Sequence, residues 1–133
     1  MFSEKNKSVT DTMNGIQLDD NEPSIGLYKN CDALAKLGTV HVEGFLITSG
    51  EKSKYGNKSV LIVMRERVDG VTGKGEAVKG ARILYLPEWC VKDFESFTAE
   101  ELAAIREGHL ALTNFAYKDT RNGRTAIFEY ADC

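Results

Sequence analysis

Two short loops of the sequence each combine lysine or arginine with a single tyrosine. One is EKSKYGNKS, residues 51–59, and the other is YKDTRNGRT, residues 117–125. Cations bind phosphates and flat rings stack on unpaired bases, so this combination is typical of sites that bind single-stranded nucleic acid. The candidate residues of the two loops are Lys52, Lys54, Tyr55, Lys58, Tyr117, Lys118, Arg121 and Arg124.

Further cations and rings lie in the apolar segments near these loops. Alternation along a strand puts Arg65 and Arg67 on one side, and it puts Phe115 on the same side as Tyr117. A small barrel needs large side chains inside, so core packing and base stacking are equal alternatives for each strand aromatic. These segments add Arg65, Arg67, Arg82, Tyr85 and Phe115 to the candidates.

The charge of the chain is unevenly distributed, although its formal net charge is only −3. Residues 39–86 carry 8 basic and 5 acidic side chains, a balance of +3, whereas residues 87–109 carry 2 and 6, a balance of −4. A local positive surface can bind a polyanion even on an acidic protein. The segment that holds most of the candidates is therefore the positive one.

The candidates have to be positioned by strands, because hydrophobic alternation dominates after residue 38. Gly44 within the first strand indicates a bulge, and the pair Asn122-Gly123 is a strong signal for a hairpin turn. Thr98 and Glu101 have the spacing of a helix capping box. The predicted elements are a short helix within 23–38 capped by Asn30, strands at 39–50, 60–68, 81–87, 109–119 and 124–132, and helical segments at 88–97 and 98–108.

The order strand, strand, strand, helix, strand, strand resembles the OB-fold, a mainly β, five-stranded Greek-key barrel. Over residues 39–132 the chain resembles the OB-fold single-stranded DNA-binding proteins of phages and bacteria. In that fold, oligonucleotides lie across strands 2 and 3 and between the loops joining strands 1–2 and 4–5. In this sequence those two loops are EKSKYGNKS (51–59) and YKDTRNGRT (117–125).

The resemblance implies sequence-independent binding of single-stranded DNA in replication or recombination. Open barrel edges invite strand pairing and single-strand binders often assemble to gain avidity, so we expect a homo-oligomer (dimer or tetramer). Replication or recombination proteins are further candidate partners. Residues 1–22 are polar and without period, so we expect a flexible arm before a single OB-like domain of residues 23–133.

Other classes of function find less support in the sequence. Cys31, Cys90 and Cys133 are few and widely spaced, so we expect neither a disulfide framework nor a metal site, and no cofactor. No Ser/His/Asp arrangement is legible, so we do not expect an enzyme. No apolar run approaches the ~20 residues of a membrane span and nothing resembles a signal peptide, which predicts a cytoplasmic protein without membrane contact.

Two alternatives stay open at this point. One is an OB-like protein-interaction module, with Trp89, Phe94 and Phe97 as its apolar contact patch and the lysine-rich loop as solvated surface. The other is single-stranded RNA binding, which needs nearly the same composition; the family resemblance alone favours DNA. We also expect Trp89 to anchor the helical segment to the strand before it.

Overall fold

The computed structural model describes residues 23–49, 58–121 and 123–133. Lys52, Lys54 and Tyr55 of the first loop lie outside these residues. The described elements are β1 (Ser24–Gly26), α1 (Leu27–Leu37), β2 (Thr39–Ser49), β3 (Lys58–Val71), β4 (Ala77–Leu86), a 3₁₀ turn (Glu88–Cys90), α2 (Val91–Glu95), α3 (Ala99–Arg106), β5 (Leu110–Thr120) and β6 (Gly123–Asp132).

The protein is mainly β, and its described strands form one sheet curled into a half-barrel. The strand order is β1-β4-β3-β2-β5-β6. The predicted order of elements from residue 39 onward is confirmed, and the bulge predicted at Gly44 appears as a register shift between β2 and β3. The structure adds β1, a three-residue strand parallel to β4 that is too short to leave a periodic signal.

The core lies on the inner face of the sheet, against the helices. Val60, Ile62 and Met64 of β3 are buried there, which follows from the two-residue period of a strand. The rings of Phe45 and Phe94 meet edge to face with their centroids 4.8 Å apart. Phe115 also belongs to this core, so its prediction as a nucleic-acid-binding ring is corrected: the ring is buried and cannot stack on a base in this fold.

The helix α3 begins and ends where local sequence signals place it. The Thr98 hydroxyl accepts a hydrogen bond from the Glu101 N–H, and the Glu101 carboxylate accepts one from the Thr98 N–H. Gly108 adopts a φ of 85° after the last turn, and the His109 N–H donates to the Ala104 carbonyl. These bonds satisfy backbone groups that a helix terminus otherwise leaves without partners.

Asn30 lies inside α1 rather than at its start, where the sequence predicted a cap. The structural cap is Gly26, and Asn30 has non-helical φ and ψ of −117° and 15°. Its side-chain amide bonds both backbone groups of Val71 at the end of β3. A β-carbon at Gly70 would come within 2.3 Å of the Asn30 Oδ1 atom, so glycine is required there.

Trp89 is an anchor as predicted, but its partner is β6. The indole N–H donates to the Ala126 carbonyl at 3.1 Å, and the ring lies 5.1 Å from that of Phe128. Trp89 thereby connects the turn after β4 to β6, which lies four places from β4 in the strand order.

Candidate functional site

Three arginines come together on the outer face of the sheet, opposite the core. Arg65 and Arg67 project from β3 and Arg82 from β4. The strand register brings them together, because Val63 pairs with Ile83 and Val68 with Ala81. The three side chains line a pocket of about 200 Å³ together with Glu43, Val63 and Met64. We call this the arginine pocket.

The arginine pocket brings several cations together. Its described lining holds three guanidinium groups and the carboxylate of Glu43. The Arg65 Nε and Glu43 Oε1 atoms are 3.4 Å apart, and the Arg67 guanidinium donates to the Gly80 carbonyl at 3.4 Å. An exposed ion pair of this kind contributes only ~0–1 kcal/mol, so an incoming anion can compete for Arg65.

An apolar strip continues from the arginine pocket along the same face. Leu61, Val63 and Ile83 are buried, although they point away from the main core. Tyr85 pairs with Leu61 in the β3–β4 register and is 41% exposed. In an antiparallel pair, opposed residues share a face, so the ring of Tyr85 stands at the end of this strip. The outer face thus presents guanidinium groups at one end and a flat ring at the other.

Lys58 is held by an acidic partner. Its ammonium group is 2.8 Å from the Glu95 carboxylate of α2, at the start of β3. The pair neutralises this charge locally, so a phosphate that binds Lys58 has to compete with the Glu95 carboxylate.

Tyr117 and Arg124 form a stacked pair on the β5–β6 hairpin. The Arg124 guanidinium lies 3.7 Å from the centre of the Tyr117 ring. The Tyr117 hydroxyl donates to the Tyr28 carbonyl of α1 at 2.6 Å, and burial raises the pKa of this hydroxyl. Lys118 and Arg121 are exposed further along the hairpin. The sequence predicted that all four of these residues bind nucleic acid, but the ring of Tyr117 already contacts Arg124 within the protein.

Sequence reasoning missed Tyr28, the ring next to Tyr117. The two ring centroids are 5.8 Å apart with an interplanar angle of 78°. Tyr28 is 50% exposed. A signal was available, because Tyr28 precedes Lys29 just as Tyr117 precedes Lys118. Tyr28 and Lys29 were not predicted as binding residues because they lie in the helical segment before β2.

His41 takes part in a structural contact. Its backbone N–H donates to the Glu66 Oε1 atom at 2.8 Å, and its ring Nδ1 lies 2.6 Å from Oε2. Burial acts to raise the pKa of Glu66, but the hydrogen bonds from His41 outweigh it and hold this pKa below its usual value. This carboxylate is therefore committed to joining β2 and β3.

The apolar patch of the protein-interaction alternative is smaller than predicted. Phe94 is fully buried in the core, and Phe97 is partly buried against it. Trp89 is 39% exposed, and Glu88 and Lys92 flank it. Of these three rings, Trp89 is thus the one that presents a substantial surface.

Comparison of the chain with protein-family models, with curated protein sequences and with solved structures found no match. Within residues 23–49, 58–121 and 123–133, no group of three or more His, Cys, Asp or Glu side chains is placed to hold a metal ion. None of the helices in these ranges is both long enough and apolar enough to cross a membrane.

Proposed function

We propose that the protein binds single-stranded DNA without sequence preference, in replication or recombination. The observation that carries this proposal is the arginine pocket on the outer face of β3 and β4, with the exposed ring of Tyr85 further along the same face. Guanidinium groups bind phosphates, and flat rings stack on unpaired bases. Neither contact reads the edge of a base, so the binding is independent of sequence.

The proposal includes an OB-type barrel. Strands β2 to β6 correspond in number and order to the five strands of that fold, with α2 and α3 between the third and the fourth. On this correspondence β3 and β4 are strands 2 and 3, whose face binds oligonucleotides in OB-folds. Arg65, Arg67, Arg82 and Tyr85 all belong to these two strands.

Assembly into dimers or tetramers is also proposed. In the described sheet, β6 pairs with β5 alone, so one edge of a ten-residue strand is open to further pairing. Light scattering at several concentrations measures the assembly. A mass that stays at that of one chain would remove this part of the proposal and leave the binding site unaffected.

The test is fluorescence anisotropy with a labelled thymidine oligomer, titrated between 50 and 200 mM salt beside a duplex of equal length. Each phosphate that a cation neutralises contributes about 0.7 to the magnitude of the log–log salt slope. Arg65→Ala, Arg67→Ala and Arg82→Ala should each lower the slope by about this amount. Arg106→Ala removes an equal charge from the exposed surface of α3 and should leave the slope unchanged.

The proposal fails if the oligomer does not bind at low salt, or if the duplex binds equally well. It also fails if Arg106→Ala weakens binding as much as the pocket variants do, because the effect would then follow from net charge alone. A uridine oligomer is titrated in parallel. Clearly tighter binding of that oligomer would identify RNA as the ligand.

A further inference from the structure

We infer that Tyr28, in the first turn of α1, is a stacking platform for one unpaired nucleobase, supported by Tyr117 and Arg124. This inference rests on the proposed function, because it adds a base-binding position to the same strand-binding surface. It replaces Tyr117, which the sequence nominated for this role, with the neighbouring ring that the fold exposes.

The ring of Tyr28 is both accessible and held in place. It is the most exposed of the large hydrophobic side chains in the described part of the chain, at 50%. Its backbone carbonyl accepts the Tyr117 hydroxyl, and the two rings meet edge to face. A ring that is already ordered loses little conformational freedom when a base stacks on it.

Tyr117 serves as the support because its own surfaces are occupied. Arg124 stacks over its ring at 3.7 Å, Tyr28 lies at 5.8 Å, and its hydroxyl is hydrogen-bonded. A base that approached the face of Tyr117 covered by Arg124 would have to displace this guanidinium. The exposed side of Tyr28 requires no such displacement.

Arg124 is placed next to this platform by its stack on Tyr117, and other cations lie nearby along the chain. Lys29 follows Tyr28 in the chain, and its ammonium group donates to the Gly73 carbonyl at 2.7 Å. Lys118 and Arg124 are exposed on the β5–β6 hairpin. The guanidinium of Arg124 keeps its charge while it stacks on Tyr117, so it remains available to a phosphate. The exposed carboxylate of Asp32, one turn further along α1, has the opposite charge and would repel a phosphate.

The backbone at Tyr28 lies close to the backbone at Tyr85. Gly26 of β1 pairs with Tyr85 of β4, and neighbouring strands are about 5 Å apart. Tyr28 is two residues further along the chain, which adds at most about 7 Å. The α-carbons of Tyr85 and Tyr28 are therefore within roughly 12 Å of each other. The proposed strand path therefore joins two positions whose backbones are near each other.

The test compares Tyr28→Ala with Leu37→Ala, which shortens another exposed apolar side chain of the same helix, 44% exposed. Loss of one stacked base should weaken binding of the thymidine oligomer by about 5- to 140-fold. The salt slope should stay unchanged, because tyrosine neutralises no phosphate. Leu37→Ala and Tyr28→Phe should bind within about twofold of the unaltered chain, and Asp32→Asn should bind more tightly.

Two further measurements separate stacking from a purely structural role. Tyr28→Leu keeps an apolar contact with Tyr117 but lacks a flat ring, so it should weaken binding as Tyr28→Ala does while unfolding at the temperature of the unaltered chain. Photocrosslinking with an oligomer containing 5-iodouracil, read by mass spectrometry, should attach the base to Tyr28.

The outcomes distinguish the two proposals. If the pocket variants lose binding while Tyr28→Ala binds normally and Tyr28 does not crosslink, this inference falls and the proposed function stands. If the unaltered chain does not bind the oligomer, both fall. Equal losses for Tyr28→Ala and Leu37→Ala would also overturn the inference.

Discussion

Replacing Asn30 with alanine tests how α1 is fastened to the half-barrel. The Asn30 Nδ2 group donates to the Gly26 and Val71 carbonyls at 2.7 and 2.9 Å, and Oδ1 accepts the Val71 N–H at 2.7 Å. The side chain is 3% exposed, so these bonds are largely shielded from water. The amide thus acts toward Val71 as the backbone of a neighbouring strand would.

The cost of Asn30→Ala follows from the groups that lose partners. A buried backbone donor or acceptor without a partner costs about 1–3 kcal/mol. Val71 is only partly buried, so water replaces some of the loss and the lower end applies to its two groups. We expect the free energy of unfolding to fall by about 2 kcal/mol. For a domain of about 110 residues this lowers Tm by roughly 9 °C.

Urea titration and calorimetry measure this change, with Lys36→Gln as the control on the same helix. Lys36 is exposed, so its substitution should change stability by less than about 0.5 kcal/mol. A loss for Asn30→Ala as small as that of the control would refute the reasoning, because the three bonds would then contribute nothing net.

Asn30→Asp provides a second check on the same bonds. It keeps the shape and the acceptor but replaces the donating amide with a carboxylate that faces two carbonyl oxygens. These neighbours raise the pKa of the new carboxyl, so its charged form destabilises the fold above that pKa. The deficit relative to the unaltered chain should therefore shrink as the pH falls through this pKa. A deficit independent of pH would contradict the assigned donor and acceptor roles.

Two further predictions concern titratable groups. The lowered pKa of Glu66 means that its contact with His41 stabilises the fold above the carboxyl's ordinary value of 4.5, and this stability is lost as the pH falls through the folded value. Glu66→Gln should lower the free energy of unfolding by about 1 kcal/mol at pH 7 and by less near pH 3, as measured by urea denaturation. A loss that is the same at both pH values would contradict the contact between Glu66 and His41. Burial raises the pKa of the Cys90 thiol to about 12. Iodoacetamide at pH 8 should therefore alkylate the exposed Cys133 and spare Cys90 in the folded chain, as measured by mass spectrometry. Labelling of Cys90 at the same rate as Cys133 would refute the burial of Cys90.

Local features of the fold were predictable because their causes lie within a few residues. The capping box of Thr98 and Glu101 depends on a spacing of three, and the bulge at Gly44 depends on a glycine inside an alternating run. Arg65 and Arg67 share a face because strand side chains alternate, whatever the strand packs against. The order of elements after residue 38 followed from the same periodicities.

Tertiary structure decided which predicted rings are available. Phe115 and Tyr85 both lie within predicted strands, yet Phe115 is buried and Tyr85 is exposed, because only the folded sheet determines which face meets the helices. Tyr117 is engaged by Arg124 and by Tyr28, a residue 89 positions away in the chain. Contacts at such a separation leave no local pattern to recognise.

By itself, then, the sequence determined the order of the strands and helices after residue 38, the alternation of strand faces and the excess of cations within residues 39–86. Only the tertiary structure decided that Arg82 joins Arg65 and Arg67, that β1 pairs with β4, and that Trp89 contacts β6. The physical reason is that periodicity and capping depend on neighbours along the chain. The arginine pocket and the Tyr28 platform depend instead on strand register and on the packing of distant segments.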